Sequence, residues 1–248
     1  LFIMIIENLI VRHHFDSLDS TNEFAKEHLA NLPSDFIHLI TASEQTSGKG
    51  TKGKSWLSPK DLNIYASYAF KKANLSYLHL SSLGLMFATV ICSVLSRFGL
   101  NQSIKWPNDI LISGKKIAGI LVETTMIEDS VGIIIGFGIN LNSDKILLSK
   151  ISQPATSLYH ETGKYYEIDE ILHLLNDQFL GDLELFLKQG FPPFCSYFNS
   201  LMIYKNYPVF EDNIFLGDAK FIETDGCLVI ETFEKKYKKI TNGSIKLR

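Results

Sequence analysis

The chain has 248 residues and a formal net charge of −3. That is enough for one sizeable core, or a core with a small appendage, and it lacks the broad basic surface that nucleic-acid binding needs. Hydrophobic residues at 46% and charged residues at 21% are ordinary for a globular protein and exclude a disordered or fibrous chain.

The apolar start, residues 1–6, is broken at once by Glu7 and Asn8. It is too short to span a bilayer and lacks a basic leader, so a strand is expected and a signal peptide is not. His13 and His14 are adjacent and would point to opposite faces of a strand, a poor metal site. Residues 18–32 read as a helix: Ser20 and Glu23 fit a capping box, and Phe24, Ala25, His28, Leu29 and Leu32 share one face. A buried strand is expected over 36–42, a polar glycine-rich loop over 43–60 and a strand over 62–70.

Residues 81–98 form the most apolar helix of the chain. A strand begins at 104–106. Ile110 to Ile112, the turn Ser113-Gly114-Lys115 and the run 116–124 read as a hairpin. Residues 131–141 are a strand and 168–187 an amphipathic helix, and Pro192-Pro193 interrupts the chain beyond it. After about residue 204 the pattern changes to short strands at 208–211, 214–223, 228–233 and 237–240, split by turns such as Asp225-Gly226 and Asn242-Gly243. That spacing suggests a small β-barrel appended to an α+β domain. No run is long and apolar enough for a membrane span, so a cytoplasmic protein is expected. Cys92, Cys195 and Cys227 lie far apart with no CxxC pair, and the seven histidines show no HExxH spacing. Neither zinc nor a redox dithiol is expected.

The stretch Gly48 to Trp56, GKGTKGKSW, satisfies GxxxxGK[ST] literally. A P-loop needs a strand entering the first glycine and a helix beginning at the Lys-Ser end. Here polar residues separate the preceding strand from Gly48, and Trp56, Pro59 and a strand-like run come after Ser55. No P-loop is expected. The stretch still suits an anion: Lys49, Lys52 and Lys54 crowd three cations onto a backbone whose glycines allow close approach. A solvated surface loop would look the same in isolation.

Three further stretches complete the pattern: Asp19 to Asn22, DSTN; Lys105 to Asp109, KWPND; and Lys116 to Glu123, KIAGILVE, with Gly136 to Asn140, GFGIN, after it. In this order, with the loop between the first two, the chain closely resembles the biotin protein ligases. That family carries a GRGRxGRxWxSP loop, KWPND and a KxxGIL(V/I)E strand. The resemblance covers most of 18–142, and the β-rich tail ending in GSIKLR resembles the family's SH3-like C-terminal domain. It implies a mixed β-sheet with helices packed on one side, as in class II aminoacyl-tRNA synthetases, plus a small C-terminal SH3-like barrel. The expected units are a catalytic domain over 1–203 and the barrel over 204–248.

The implied reaction has two steps: ATP with Mg²⁺ converts biotin to biotinyl-5′-AMP, and biotin then passes to a lysine of a carrier protein. The carrier implied is the biotin carboxyl carrier of acetyl-CoA carboxylase. The resemblance places Lys49 and Lys116 at the carboxylate and phosphate, and Asp109 at the incoming carrier lysine. Ser20, Thr21, Asn22, Gln45, Gly48, Gly50 and Thr51, with Lys49 and Lys116, form the expected biotin set. Lys52, Lys54, Trp56, Lys105, Asn108 and Asn140, again with Lys49 and Lys116, form the expected ATP and adenylate set. No direct protein metal site is expected, since magnesium arrives with ATP.

The bland alternatives are helix capping for Ser20 and Thr21, a strand-end turn for Asn140, and a surface arginine for Arg248. The chain departs from the pattern where lysines stand in place of loop arginines, losing the bidentate fork. It departs again at Thr51, an arginine in well-known members that helps retain the adenylate. Weaker retention, or compensation by Lys52, is expected. The runner-up is a lipoate or octanoate ligase or transferase of the same superfamily, whose GGG-type motif with HD nearby is missing. About 15 residues precede the first helix, too few for a winged-helix module, so DNA binding is not expected. A homodimer is allowed by the β-rich edges.

Overall fold

The computed structural model describes residues 9–73, 77–202, 205–241 and 243–245. The expected strand at 1–6 and Arg248 lie outside the described residues. Nine residues, β-branched and aromatic around two histidines, form β1, Ile10–Leu18, a strand that no sequence signal announces. It pairs in parallel with β2, Ile37–Gln45. Then follow β3 (Ile64–Ala73), β4 (Gln102–Lys105), β5 (Asp109–Ile112), β6 (Lys115–Ile127) and β7 (Ser130–Ile139). The seven strands lie in the order β1-β2-β3-β7-β6-β5-β4, and every pairing except β1 with β2 is antiparallel. The sheet is therefore mixed, as expected. The β5–β6 turn has positive φ at both Ser113 (49°) and Gly114 (79°), the backbone that matches a two-residue hairpin to strand twist.

The alternation of side chains across these strands builds two cores. On one face Leu39, Tyr68, Ile133 and Ile135 join α2 (Tyr77–Ser96), α5 (Ile168–Gln189) and α6 (Pro192–Leu201) in the main core. Tyr68 stacks on Phe179 at 4.2 Å and on Phe137 at 5.4 Å. On the other face Ile40, Ala69 and Ile134 meet Ala25 and Leu29 of the short helix α1, Thr21–His28, and the turn after it. The larger helices thus cover one face, and α1 with the turn after it lies against the other.

Two local expectations change. Leu18 ends β1 rather than opening a helix, and α1 gives way to a 3₁₀ turn at Leu29–Asn31. Ser20 is the N-cap in extended geometry, yet its side chain makes no capping bond, and Glu23 turns outward to lysines, so the capping box does not form. Pro192-Pro193 opens a helix instead of merely interrupting the chain, because proline's fixed φ and missing N–H suit the first turn. Two short helices, α3 (Lys145–Leu148) and α4 (Leu158–Thr162), add to the expected elements. Both are capped from outside by Asp144 and Ser157.

The tail forms β8 (Pro208–Glu211), β9 (Ile214–Ile222), β10 (Leu228–Glu231), β11 (Tyr237–Ile240) and β12 (Ser244–Ile245) in a second antiparallel sheet, ordered β11-β10-β9-β8-β12. Val209, Ala219, Ile222, Leu228, Ile230 and Ile245 share the main core with Trp106. Asn199 of α6 clamps β9 by donating to the Ile222 carbonyl (2.7 Å) and accepting from its N–H (2.8 Å). No helix among the described residues is long and apolar enough to cross a membrane.

Candidate active site

The face carrying α1 leaves part of the sheet open beyond the helix. There β2 runs out into the glycine-rich loop, whose first residues stay pinned: Thr46 N–H donates to Leu18 O (2.9 Å) and Ser47 N–H to Asp19 O (2.9 Å). The loop folds back as a tight hairpin, with Gly50 N–H on Lys54 O (2.7 Å) and Trp56 N–H on Gly48 O (2.8 Å). Only a 3₁₀ turn, Thr51–Gly53, interrupts it, and β3 comes next, so the surroundings of a P-loop are absent. Gly48 is packed tightly, since a Cβ there would lie 2.6 Å from Trp56 O.

Loop, sheet and helix border a cleft with about 440 Å³ of empty space, its open mouth included. Of the expected residues, Ser20, Thr21, Asn22, Gln45, Lys49, Gly50, Thr51, Trp56, Asn108 and Lys116 line it. Its floor comes from Gly119, Ile120 and Leu121 of β6 and from Gly136, Phe137 and Gly138 of β7. The glycines of GFGIN are there for close approach. A Cβ at Gly136 would sit 1.9 Å from Asn22 Oδ1, and one at Gly138 would sit 2.3 Å from the Trp56 indole.

At the α1 end the polar groups are buried and engaged. Gln45 Oε1 accepts the Thr21 N–H (2.9 Å), and Gln45 Nε2 donates to Ser58 Oγ (3.0 Å). Asn22 Nδ2 donates to Glu123 Oε2 (2.9 Å) and to Leu121 O (3.2 Å). Burial pushes the Glu123 carboxyl up, but the bonds from Asn22 and Lys26 and the charges of Lys26 and Lys49 outweigh it, and the group is held below the usual range. Lys49, on the rim, pairs with Glu23 at 2.8 Å.

At the other end Lys116 Nζ lies 2.6 Å from Asp109 Oδ1, both side chains mostly covered, and 5.1 Å from the centroid of the Trp56 ring. The Lys116 backbone is held by a segment that carries no sequence signal: its N–H donates to Pro154 O and its carbonyl accepts from Thr156 N–H, each at 2.9 Å. Asn108 closes the KWPND turn onto β6, Nδ2 donating to Ile120 O at 2.8 Å, next to the cis Trp106–Pro107 bond. Lys105 is part-buried nearby. Burial lowers its pKa, Asp109 opposes this, and the charges of Lys116 and Lys54 add to the lowering.

Trp56 and Lys116 also wall a second cavity of about 310 Å³, lined further by Ser55, Leu57, Asn140, Ile151, Gln153 and Ala155. Asn140 is buried and spends its amide on the Thr156 carbonyl (3.0 Å), tying the end of β7 to that segment. Lys52 and Lys54 are exposed on the loop and line neither cavity. Gly48 and Asp109 stand just behind the lining, and Lys105 lies farther along the same turn. Ser67, Ser58, Glu23 and Glu123 join the site without being expected there. Ser67 carries no sequence signal at all, whereas Ser58 stands in the SP that ends the quoted loop motif and Glu123 closes another. Among the described residues no group of three or more His, Cys, Asp or Glu side chains converges as a metal site.

A model of the biotin/lipoate A/B protein ligase family matches residues 14–140. The bifunctional ligase/repressor BirA of Escherichia coli is 31% identical over 219 residues, covering 86% of this chain and 67% of that protein. The biotin–[acetyl-CoA-carboxylase] ligase of Paracoccus denitrificans is 32% identical over 151 residues, 56% of this chain and 60% of that one. In structure the chain resembles the biotin protein ligase of Aquifex aeolicus solved with biotin and ATP. The TM-score is 0.75 at 28% identity, covering 96% of this chain and 98% of that one.

Proposed function

This chain belongs to the biotin/lipoate A/B protein ligase family and is an ATP-dependent biotin protein ligase, and on that basis we propose how its residues carry the reaction. It activates biotin to biotinyl-5′-AMP, using ATP with Mg²⁺, and transfers biotin to a protein lysine. The observation that carries the assignment of roles is the shared wall: Lys116 and Trp56 border both cavities, and Asp109 sits on Lys116.

Biotin occupies the cleft between the loop, the sheet and α1. Its ring lies toward Ser20, Thr21, Asn22 and Gln45, and its tail runs over Gly136 and Gly138 under Gly48, Lys49, Gly50 and Thr51. The nucleotide occupies the side of Trp56 and Asn140, with Asn108 and Lys105 at the turn and Lys52 and Lys54 reaching the phosphates from the loop. In the first step the biotin carboxylate attacks the α-phosphorus of ATP. A C–O–P anhydride forms, and the bond to the pyrophosphate oxygen breaks. Two unit anions 4 Å apart repel by about 4 kcal/mol at an effective dielectric constant of about 20. Lys116 and Lys49 offset that repulsion with their positive charges. Magnesium arrives on the ATP phosphates.

In the second step Asp109 receives the carrier's lysine. Its partner in the structure is already an ammonium at 2.6 Å. When Lys116 turns to the phosphate, Asp109 is free to orient the incoming ammonium and take its proton. The amine then attacks the anhydride carbonyl, the amide C–N bond forms, and AMP leaves with the bonding pair. The carrier is the biotin carboxyl carrier of an acetyl-CoA carboxylase, a reading supported by the relative from Paracoccus denitrificans. We further divide the chain into a catalytic unit, 1–203, and an SH3-like unit, 204–248, and place the reaction in the cytoplasm, without DNA.

The test offers biotin, lipoate and octanoate together, with Mg-ATP, an apo biotin carrier domain and an apo lipoyl domain. Intact mass spectrometry then reads both carriers. The expected result is an ATP-dependent, biotin-sized gain on the biotin carrier alone. Gain on the lipoyl domain would refute the substrate assignment.

A further inference from the structure

Beneath the ring end of the cleft lies Ser67, on β3 and fully buried, which lines neither cavity. Its Oγ stands 2.6 Å from Asn22 Oδ1 and 2.8 Å from Thr21 Oγ1. A hydroxyl has one proton, and two oxygens this close need one between them, so the chain of bonds has a single consistent direction. Asn22 is oriented first. Its Nδ2 faces Glu123 Oε2 and Leu121 O, and turning the amide over would set Oδ1 against two acceptors. Glu123 is ionised, kept so by Lys26 at 3.0 Å among others, and it only accepts. Asn22 Oδ1 therefore faces Ser67 and has no proton to give. The Ser67 proton must lie on Asn22, and the proton between Ser67 and Thr21 must come from Thr21. Gln45 Oε1, the other neighbour of Thr21 Oγ1 at 3.3 Å, also only accepts.

We infer that Glu123, Asn22 and Ser67 form a polarity relay that draws the Thr21 hydroxyl proton into the protein, so that Thr21 shows the cleft lone pairs only and selects ligands that bring an N–H to it. Ser67 is a positioning residue in this scheme, and Thr21 makes the contact. The inference rests on the reading of this cleft as the biotin site. It adds the reason why a ring N–H is preferred to a ring oxygen of the same shape, because an oxygen there would meet lone pairs with no proton between. Gly136 belongs to the same device, since any side chain on it would expel Asn22 from the chain of bonds.

The test measures affinities of the full-length protein by calorimetry for biotin and for the two cyclic carbamates in which one or the other ureido N–H is replaced by oxygen. The wild type is expected to bind at least one carbamate roughly ten- to a hundredfold more weakly than biotin. In Ser67→Ala the Thr21 proton loses its nearer acceptor and keeps only Gln45 Oε1 at 3.3 Å, and that ratio is expected to shrink by up to about tenfold. Glu123→Gln gives Asn22 a partner that can donate and so permits the relay to reverse. It is expected to compress the ratio too, and it stands in if Ser67→Ala fails to fold. Equal weakening of all three ligands with the ratio intact would mean that Ser67 and Glu123 only support packing, and would overturn the inference alone. A wild type that binds none of the three would overturn the biotin reading, and this inference with it.

Discussion

Asp109 and Lys116 meet at 2.6 Å, and the proposed mechanism uses the two groups in different half-reactions. Separating those half-reactions is the sharpest test of their roles. Asp109→Asn keeps shape and hydrogen bonding but cannot take a proton. We expect transfer from preformed biotinyl-AMP to the carrier to slow by about 10²–10⁴-fold, while pyrophosphate exchange stays within about tenfold. Equal losses in both steps would assign Asp109 to adenylation instead. Thr51 is the second residue to probe. It lines the cleft but offers no charge to an adenylate phosphate. Thr51→Arg adds a charge-assisted bond, and we expect release of biotinyl-AMP to slow by about tenfold. Indistinguishable release rates would remove Thr51 from the account of retention. Lys52 offers little compensation as it stands, since its side chain is exposed on the outer turn of the loop.

Among the elements, the floor of the cleft depends on two glycines of β7 pressing against a helix and a loop. Gly136 leaves the space that Asn22 fills, so β7 and α1 are matched through an absent side chain. Gly136→Ala must push α1 away or break the Asn22 bonds. We expect a loss of about 1–3 kcal/mol of stability, read as a melting midpoint lowered by about 2–4 °C for each kcal/mol, together with weakened biotin binding. An unchanged midpoint with unchanged affinity would show that α1 yields freely. The glycine-rich loop behaves differently. Its root is fastened by backbone bonds to Leu18 and Asp19, while Lys52, Gly53 and Lys54 at its tip are exposed. A loop fixed at its base and open at its tip suits a cover that closes once an anionic ligand supplies partners for those lysines.

Across the molecule as a whole, the edge of the large sheet holds a pair of histidines. His13 Nε2 lies 3.1 Å from His38 Nδ1, joining β1 to β2, and Arg12 of the same strand reaches Asp169 at the start of α5. Burial first, and then His38, lower the His13 pKa from its ordinary 6.5. The unfolded chain therefore takes up a proton near pH 6.5 while the folded one does not. This contribution to stability is present above that pH and is lost as pH falls toward the lower, folded value. We expect the thermal midpoint to decline from about pH 7.5 to about pH 5.5 and the decline to flatten in His13→Gln. An identical slope in the variant would assign the acid sensitivity to other groups. The two sheets share one core through Trp106 and the Asn199 clamp on β9, so acid weakening of the β1 edge acts on the sheet edge opposite β4.

Local order and chemistry are legible in the sequence wherever a residue type has one use. Alternating and helical periodicities mark β2, β3, β6, β7, α2 and α5 to within a few residues. The ordered motifs name most of the cleft lining, and loop context is enough to reject the P-loop reading at Gly48. Tertiary structure decides whatever depends on partners distant in the chain. Residues 10–18 become a strand by pairing with β2, and the Ser20–Glu23 signature loses its capping bonds because Glu23 pairs with Lys49 instead. Ser67 gains a role only when β3 passes beneath α1, and the segment 154–156 only when it closes on Lys116. Periodicity reports which face a residue takes, but a hydrogen bond between residues 21 and 67 is set by how helix and sheet pack, and no local pattern encodes that distance.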